Sequence, residues 1–326
     1  MSNQLLDILS RTDDAGWLQI VERLQPEMHA VDQRAARIWF AFFPVKLFRA
    51  LRESANPEEK AKSLLLKGKY RLTDQVDSSA QFLYGHRYWP EVRREVAEYA
   101  LGGGSSRSLA DQILEAATKI ATRLGVEVAM VTGITAVAFG TLQQVGIELF
   151  KEPAQAGDYG KSWKKSANQI VEDRKKDDSQ GILGFLKSVD KRFTVNFREF
   201  EPGYTFKVVN MQDVTTAGRQ YKGDYHSKDM RCMRGEGPIP VECRTAACGT
   251  CWVGVLSPTE KLAPPNDREI NKWRYFGYEG FTAKEDSPIR LACQLKAHGN
   301  VTLVIPPWNG LIGKLDEKEK ESGAAA

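Results

Sequence analysis

Glu242-Cys243-Arg244-Thr245-Ala246-Ala247-Cys248-Gly249-Thr250-Cys251 holds three of the chain's five cysteines, and Arg290-Leu291-Ala292-Cys293 supplies a fourth well downstream. The first three stand at C-x4-C-x2-C spacing. Four thiolates so arranged are the set that binds a [2Fe–2S] cluster, because two irons bridged by two sulfides need four soft ligands. A short loop with closely spaced cysteines can wrap such a core and aim backbone N–H groups at its sulfurs. Gly249 and Thr250 are small enough to let the backbone pass close by. The predicted ligands are therefore Cys243, Cys248, Cys251 and Cys293. A structural zinc site or a set of reduced structural thiols is the competing reading. Structural zinc, however, usually takes two close cysteine knuckles, or one with a histidine pair, and this chain has a single knuckle. Cys232, in Met230-Arg231-Cys232-Met233-Arg234, has no partner at ligand spacing and reads as a small buried hydrophobe.

Working outward, Gln294 to Pro307 reads as a short strand, a Gly299-Asn300 turn and a second strand stopped by Pro306-Pro307. From Tyr204 to Trp308, and through the motifs CRTAACGTC and RLACQ…GNVTLVIPP, the chain resembles the [2Fe–2S] ferredoxin family, both free ferredoxins and ferredoxin domains fused to reductases. The resemblance implies a β-grasp fold, a small mixed sheet packed on a helix, and a potential near about −400 mV. Two departures stand out. Ala246 occupies a position where the family usually has glycine, so the loop must differ locally or carry strain. The interval between Cys251 and Cys293 is also longer than usual, with an insertion that includes Lys261 to Asp286 and has Tyr275-Phe276-Gly277-Tyr278 inside it.

Residues 1–150 read as helices. Leu5, Ile8 and Leu9 share a face, Asp13 and Asp14 can cap a helix through Trp17, Val21 and Leu24, and Pro26 ends it. Val31 to Leu51 is amphipathic and aromatic, and Pro44 should kink or divide it. Asn56-Pro57 starts another helix. Glu91 to Leu101 stops at Gly102-Gly103-Gly104, and Ser105 to Arg123 follows. The segment Gly85-His86-Arg87-Tyr88-Trp89-Pro90 could be a contact surface or cofactor niche, but a turn folding its aromatics onto the bundle is the commoner outcome. Val128 to Ile147 is uncharged, yet its threonines and Gln143-Gln144 make a buried central helix a better reading than a membrane span.

Residues 151–203 read as a polar linker with connecting helices, including a short amphipathic one through Ile182, Leu186 and Val189. Trp163 among Lys161, Lys164 and Lys165 could be an interfacial anchor. Residues 204–311 form the predicted ferredoxin-like domain, and 312–326 a charged, frayed tail. The expected class is thus α+β, an all-α region followed by a β-grasp domain.

Composition narrows the function classes. With 46 basic against 42 acidic residues the net charge is +4, which gives no nucleic-acid signature. The amino terminus lacks a basic stretch followed by an apolar run, so no secretory or transit signal is expected, and unpaired cysteines fit a reducing, cytoplasmic setting. No dinucleotide, Walker or zinc-protease motif occurs. From Tyr204 to Gly310 there are fourteen Lys and Arg against eleven Asp and Glu. Many ferredoxins are acidic plugs; this region is not, which favours a dedicated redox partner or a place in a larger redox complex, with peripheral membrane association conceivable. The expectation is one-electron transfer by a non-catalytic carrier whose helical part docks or assembles. The alternative is an electron-transfer subunit or self-contained oxidoreductase with a second cofactor or substrate site among the helices.

Overall fold

The computed structural model describes residues 3–160, 163–176, 191–315 and 317. The chain divides into two compact units, Met1–Arg52 with Arg71–Ile170, and Glu53–Tyr70 with Val171–Ala326. The helix expected at Ile182–Val189, Lys161 beside Trp163, and the tail beyond Leu315 apart from Glu317 lie outside the described residues.

The first unit is helical. It begins with α1 (Gln4–Arg11), α2 (Asp14–Leu24), α3 (Ala30–Phe42) and α4 (Val45–Arg52). Pro44 separates α3 from α4, because its ring and missing N–H cannot continue a helix. The two aspartates predicted to cap α2 divide the task. Asp13 accepts from the Gly16 N–H at 2.7 Å, whereas Asp14 reaches across to the Val45 and Lys46 N–H groups at the start of α4 (2.6 and 3.1 Å). Next in the chain come α5 (Pro57–Ser63), capped by Asn56, and the short strand β1 (Lys67–Gly68), both in the second unit. The first unit resumes with α6 (Trp89–Leu101), α7 (Leu109–Leu124), α8 (Ala129–Val145) and α9 (Ile147–Phe150).

Helix α8 is the unpolarised centre of this unit and packs against α3, α6 and α7. Its polar residues are satisfied locally. Thr132, Thr135 and Thr141 each donate to the carbonyl four residues back, and Gln143 and Gln144 donate to the carbonyls of Leu9, Thr12 and Phe43. Gly140 lets Phe40 and Trp39 approach, since a Cβ there would stand 2.8 Å from the Phe40 ring. No helix among the described residues is long and apolar enough to cross a membrane.

The Gly85–Pro90 segment folds inward. Trp89 and His86 are buried, and their rings stack with centroids 6.2 Å apart. Asp77 gathers the segment: its carboxylate accepts from Trp89 Nε1 (2.7 Å) and Arg93 Nη1 (2.6 Å), and its carbonyl meets His86 Nε2 at 2.8 Å. Burial pushes the imidazole down to about 4 from its ordinary 6.5, outweighing the raising influence of Asp77. Between those values the unfolded chain binds a proton that the folded chain refuses. Stability is therefore intact above pH 6.5 and falls as pH drops toward about 4, by about 3 kcal/mol for this group. In denaturant titrations near pH 7 and pH 4.5, His86→Gln is expected to shrink the difference between the two stabilities, whatever its own cost. An undiminished difference would assign the acid sensitivity elsewhere.

The boundary between units falls inside α10 (Ala167–Lys175). The second unit holds a five-stranded mixed sheet: β2 (Arg192–Asn196), β3 (Thr205–Val209), β4 (Trp252–Val255), β5 (Ile289–Leu291) and β6 (Val301–Val304), in the order β3-β2-β6-β4-β5. β2 runs parallel to β6, with Val195 opposite Val301, and every other pairing is antiparallel. One parallel pair at the centre, flanked by two hairpin-like pairs, is the β-grasp order. Helix α11 (Val214–Gly218) packs against β3, and α12 (Asp267–Phe276) forms within the insertion, capped by Asn266 and ended by a left-handed Gly277. A separate two-stranded sheet pairs β1 with β7 (Trp308–Asn309).

Three placements differ from the sequence expectation. β2 lies inside the stretch read as a polar linker, because its alternating buried Phe193 and Val195 sit between two charge runs. The segment expected to be a strand after Cys293 makes only single bridges, Asp213 with Lys296 and Leu262 with Ala297, and regular pairing starts after Asn300. Residues 53–70 join the second unit through β1 and through the buried Leu64, whose carbonyl accepts from the Leu311 N–H at 2.8 Å.

Candidate metal centre

Three backbone N–H groups converge on one sulfur. Those of Thr245, Ala247 and Cys248 donate to Cys243 Sγ at 3.5, 3.3 and 3.3 Å. The loop achieves this by left-handed turns at Arg244 (φ 56°), Ala246 (φ 63°) and Gly249 (φ 69°). Ala246 thus keeps the conformation its glycine counterpart would adopt freely, at a cost of about 1–2 kcal/mol. Gly249 is different in kind: a Cβ there would lie 2.0 Å from the buried Phe276 ring of α12. Gly249→Ala combines left-handed strain with overpacking and is expected to destabilise the second unit by about 2–5 kcal/mol, measured by denaturant unfolding. A loss below 1 kcal/mol would mean that Phe276 gives way without cost.

Cys251 closes the loop at the entry to β4, and Cys293 follows β5; the Ala292 N–H donates to the Cys251 carbonyl at 2.9 Å, which holds the two segments side by side. Both sulfur-bearing residues are buried, whereas Cys243 and Cys248 are half-buried beside the exposed Thr245 and Ala247. The thiols associate in two pairs. Cys251 and Cys293 share a hydrogen bond that raises the former and brings the latter down to about 7, helped by Gln294 and by the Ala246 N–H. Burial pushes the Cys243 thiol up, but the N–H groups of Thr245 and Cys248 and the neighbouring Cys248 thiol more than offset it, bringing it down to about 6. Each pair also feels the other's charge, Cys293 that of Cys243 and Cys251 that of Cys248. Gln294 ties the segments together, with Nε2 donating to Cys293 Sγ (3.3 Å) and to the Arg244 carbonyl (3.5 Å). Gln294 falls in the segment expected to be a strand, and its position directly after a ligand candidate is the available signal in the sequence.

Among the described residues, no group of three or more His, Cys, Asp or Glu side chains is placed to hold a metal ion. A two-iron core takes four thiolates, two to each iron, and a loop that aims three N–H groups at one sulfur suits such a group.

Cys232 stands apart. It is 1% exposed, its thiol donates to the Pro238 carbonyl at 3.3 Å, and burial, reinforced by Asp229, pushes it up to about 12. It is a neutral structural thiol. The two arginines beside the cysteines are already paired: Arg244 with Glu236, and Arg290 with Glu269 in a buried contact.

No protein-family model, curated protein or solved structure gives a significant match to this chain.

Proposed function

We propose that this protein is a one-electron carrier that binds a [2Fe–2S] cluster through Cys243, Cys248, Cys251 and Cys293. The observation that carries the reading is the convergence of three backbone N–H groups on Cys243 Sγ, in a loop twisted left-handed at three positions to aim them. Such donors stabilise negative charge on sulfur, which is where charge accumulates when a thiolate-ligated cluster is reduced. When bound, the cluster supplies reversible uptake and release of a single electron. The protein's own part is to hold the thiols in two pairs, bury Cys251 and Cys293 away from water, and leave Cys243 and Cys248 at the surface where a partner can approach. Gln294 orients Cys293, and Ala246 and Gly249 shape the loop around it. With all four thiolates committed as ligands, no coordination position is left for a substrate, which favours a carrier over an enzyme. The helical unit then serves as docking or assembly module for a dedicated redox partner, in a reducing compartment.

The test is the absorption and paramagnetic resonance spectrum of the purified protein, with iron and sulfide analysis. About two irons and two sulfides per chain, with a signal on reduction and no further chromophore, support the carrier. Added flavin or haem bands would favour an oxidoreductase with a second cofactor among the helices. Zinc in place of iron and sulfide would overturn the reading.

A further inference from the structure

Two methionines are held out into water by a loop that is otherwise firmly anchored. Met230 is 76% exposed and Met233 50%. Between them, Arg231 is turned inward: its guanidinium pairs with Asp229 (Nη2 to Oδ2, 2.6 Å) and donates to the Pro306 carbonyl (2.6 Å) and Asn309 Oδ1 (3.4 Å). Cys232 is buried, and its carbonyl meets His226 Nδ1 at 2.6 Å. Gly237 closes the loop against the end of α11, where a Cβ would stand 2.2 Å from the Gly218 carbonyl oxygen. The arrangement is thus fixed: Arg231 and Cys232 turn in, and Met230 and Met233 turn out. Exposed apolar groups on a rigid frame mark a contact surface rather than slack chain.

The charges around them leave a cationic excess. Most acidic side chains near the loop already have a cation, Asp229 with Arg231, Glu236 with Arg244 and Arg219, and Glu242 with Lys67, while the exposed Asp224 accepts from the Ser227 N–H. Lys228 lies over the Tyr204 ring at 4.4 Å and is exposed, and Arg234 is exposed with no ion pair among the described residues. The loop is also mechanically tied to the metal-binding loop, because Glu236 holds Arg244, the residue after Cys243.

We infer that Met230 and Met233, rimmed by Lys228 and Arg234, form the docking face for a redox protein whose own contact surface is apolar at its centre and acidic around it. The inference rests on the electron-carrier reading above. An apolar centre gives close approach, a basic rim steers an acidic partner, and Glu236, two residues after Arg234, ties the same loop to Arg244 beside Cys243.

The experiment uses plastocyanin, an acidic blue-copper protein with an apolar patch, and cytochrome c, which is basic, as probes. The full-length protein is reduced with dithionite and mixed with each oxidised probe in a stopped-flow instrument. One electron leaves the protein, and the copper(II) or haem iron(III) of the probe is reduced. Plastocyanin should react faster than cytochrome c, and its rate should fall with rising salt. Met230→Ser with Met233→Ser, and separately Arg234→Glu, should each slow plastocyanin about tenfold while leaving reduction of a small neutral quinone unchanged. Unchanged plastocyanin rates, or a preference for cytochrome c, would overturn the docking face. Binding of the unreduced protein to immobilised plastocyanin needs no cluster, so the face can fail while the cluster stands, or hold while the carrier reading falls for want of a [2Fe–2S] spectrum.

Discussion

Cys251→Ser and Cys293→Ser are expected to lower iron and sulfide content at least about tenfold, and Cys243→Ser and Cys248→Ser to do the same, while Cys232→Ser leaves it near the wild-type level. The contrast follows from position. Cys251 and Cys293 are buried and hydrogen-bonded to each other, and Cys243 takes three N–H donors, so each has a geometry that an alkoxide-poor serine hydroxyl cannot reproduce. Cys232 instead donates its proton to the Pro238 carbonyl at 3.3 Å in a buried site. A serine hydroxyl can make the same hydrogen bond. The measurement is iron and sulfide per chain with the visible spectrum of each variant. Loss of the cluster in Cys232→Ser with retention in Cys293→Ser would remove the ligand assignment.

What could be read from the sequence was what is local. The close spacing of Cys243, Cys248 and Cys251 reads as a tight loop, which is what forms, and Asn56-Pro57 and Pro44 act on the turn in which they stand. The left-handed Ala246 was legible too, as a departure that had to mean a different backbone or strain, and strain is the outcome. What stayed hidden depends on distant partners. Asp14 sits beside a true cap yet serves α4, two helices along in the bundle. Phe193 and Val195 alternate over too short a run to outweigh the charges on either side. Nothing near Lys67 says that Trp308 will pair with its strand, since a two-residue ladder leaves no periodicity to detect. The insertion between the third and fourth cysteines was visible as length, but its purpose appears only when Phe276 and Tyr278 are seen packed edge-to-face on Trp252, with centroids 5.7 and 4.9 Å from it.

That insertion is fastened by the pair with the largest expected effect on stability. Glu269 on α12 is 0% exposed and Arg290 on β5 is 1% exposed. The carboxylate accepts from Arg290 Nε at 2.8 Å, from Nη2 at 3.0 Å and from the Leu291 N–H at 2.7 Å, while Nη1 donates to the Ala263 carbonyl at 3.2 Å. Such a pair need not add net stability over an apolar pair of like volume, because two ions had to leave water. Removing one partner is a different matter, since the other charge is then stranded. Glu269→Ala is accordingly expected to cost about 3–5 kcal/mol, and Arg290→Met a similar amount. The double variant Glu269→Leu with Arg290→Met should recover a large part of the loss. The exposed pair of Lys67 and Glu242, at 2.8 Å but with about half of each side chain in water, sets the scale for comparison. Glu242→Ala should cost under about 1 kcal/mol. Denaturant unfolding of the four variants decides the matter. A single-variant loss at Glu269 no larger than that at Glu242 would show that aromatic packing on Trp252, rather than the ion pair, holds α12 to the sheet. Because Arg290 lies three residues before Cys293, the same variants should also release iron faster in chelator, with the double variant again intermediate, as a strand loosened from its helix no longer fixes the fourth thiol beside Cys251.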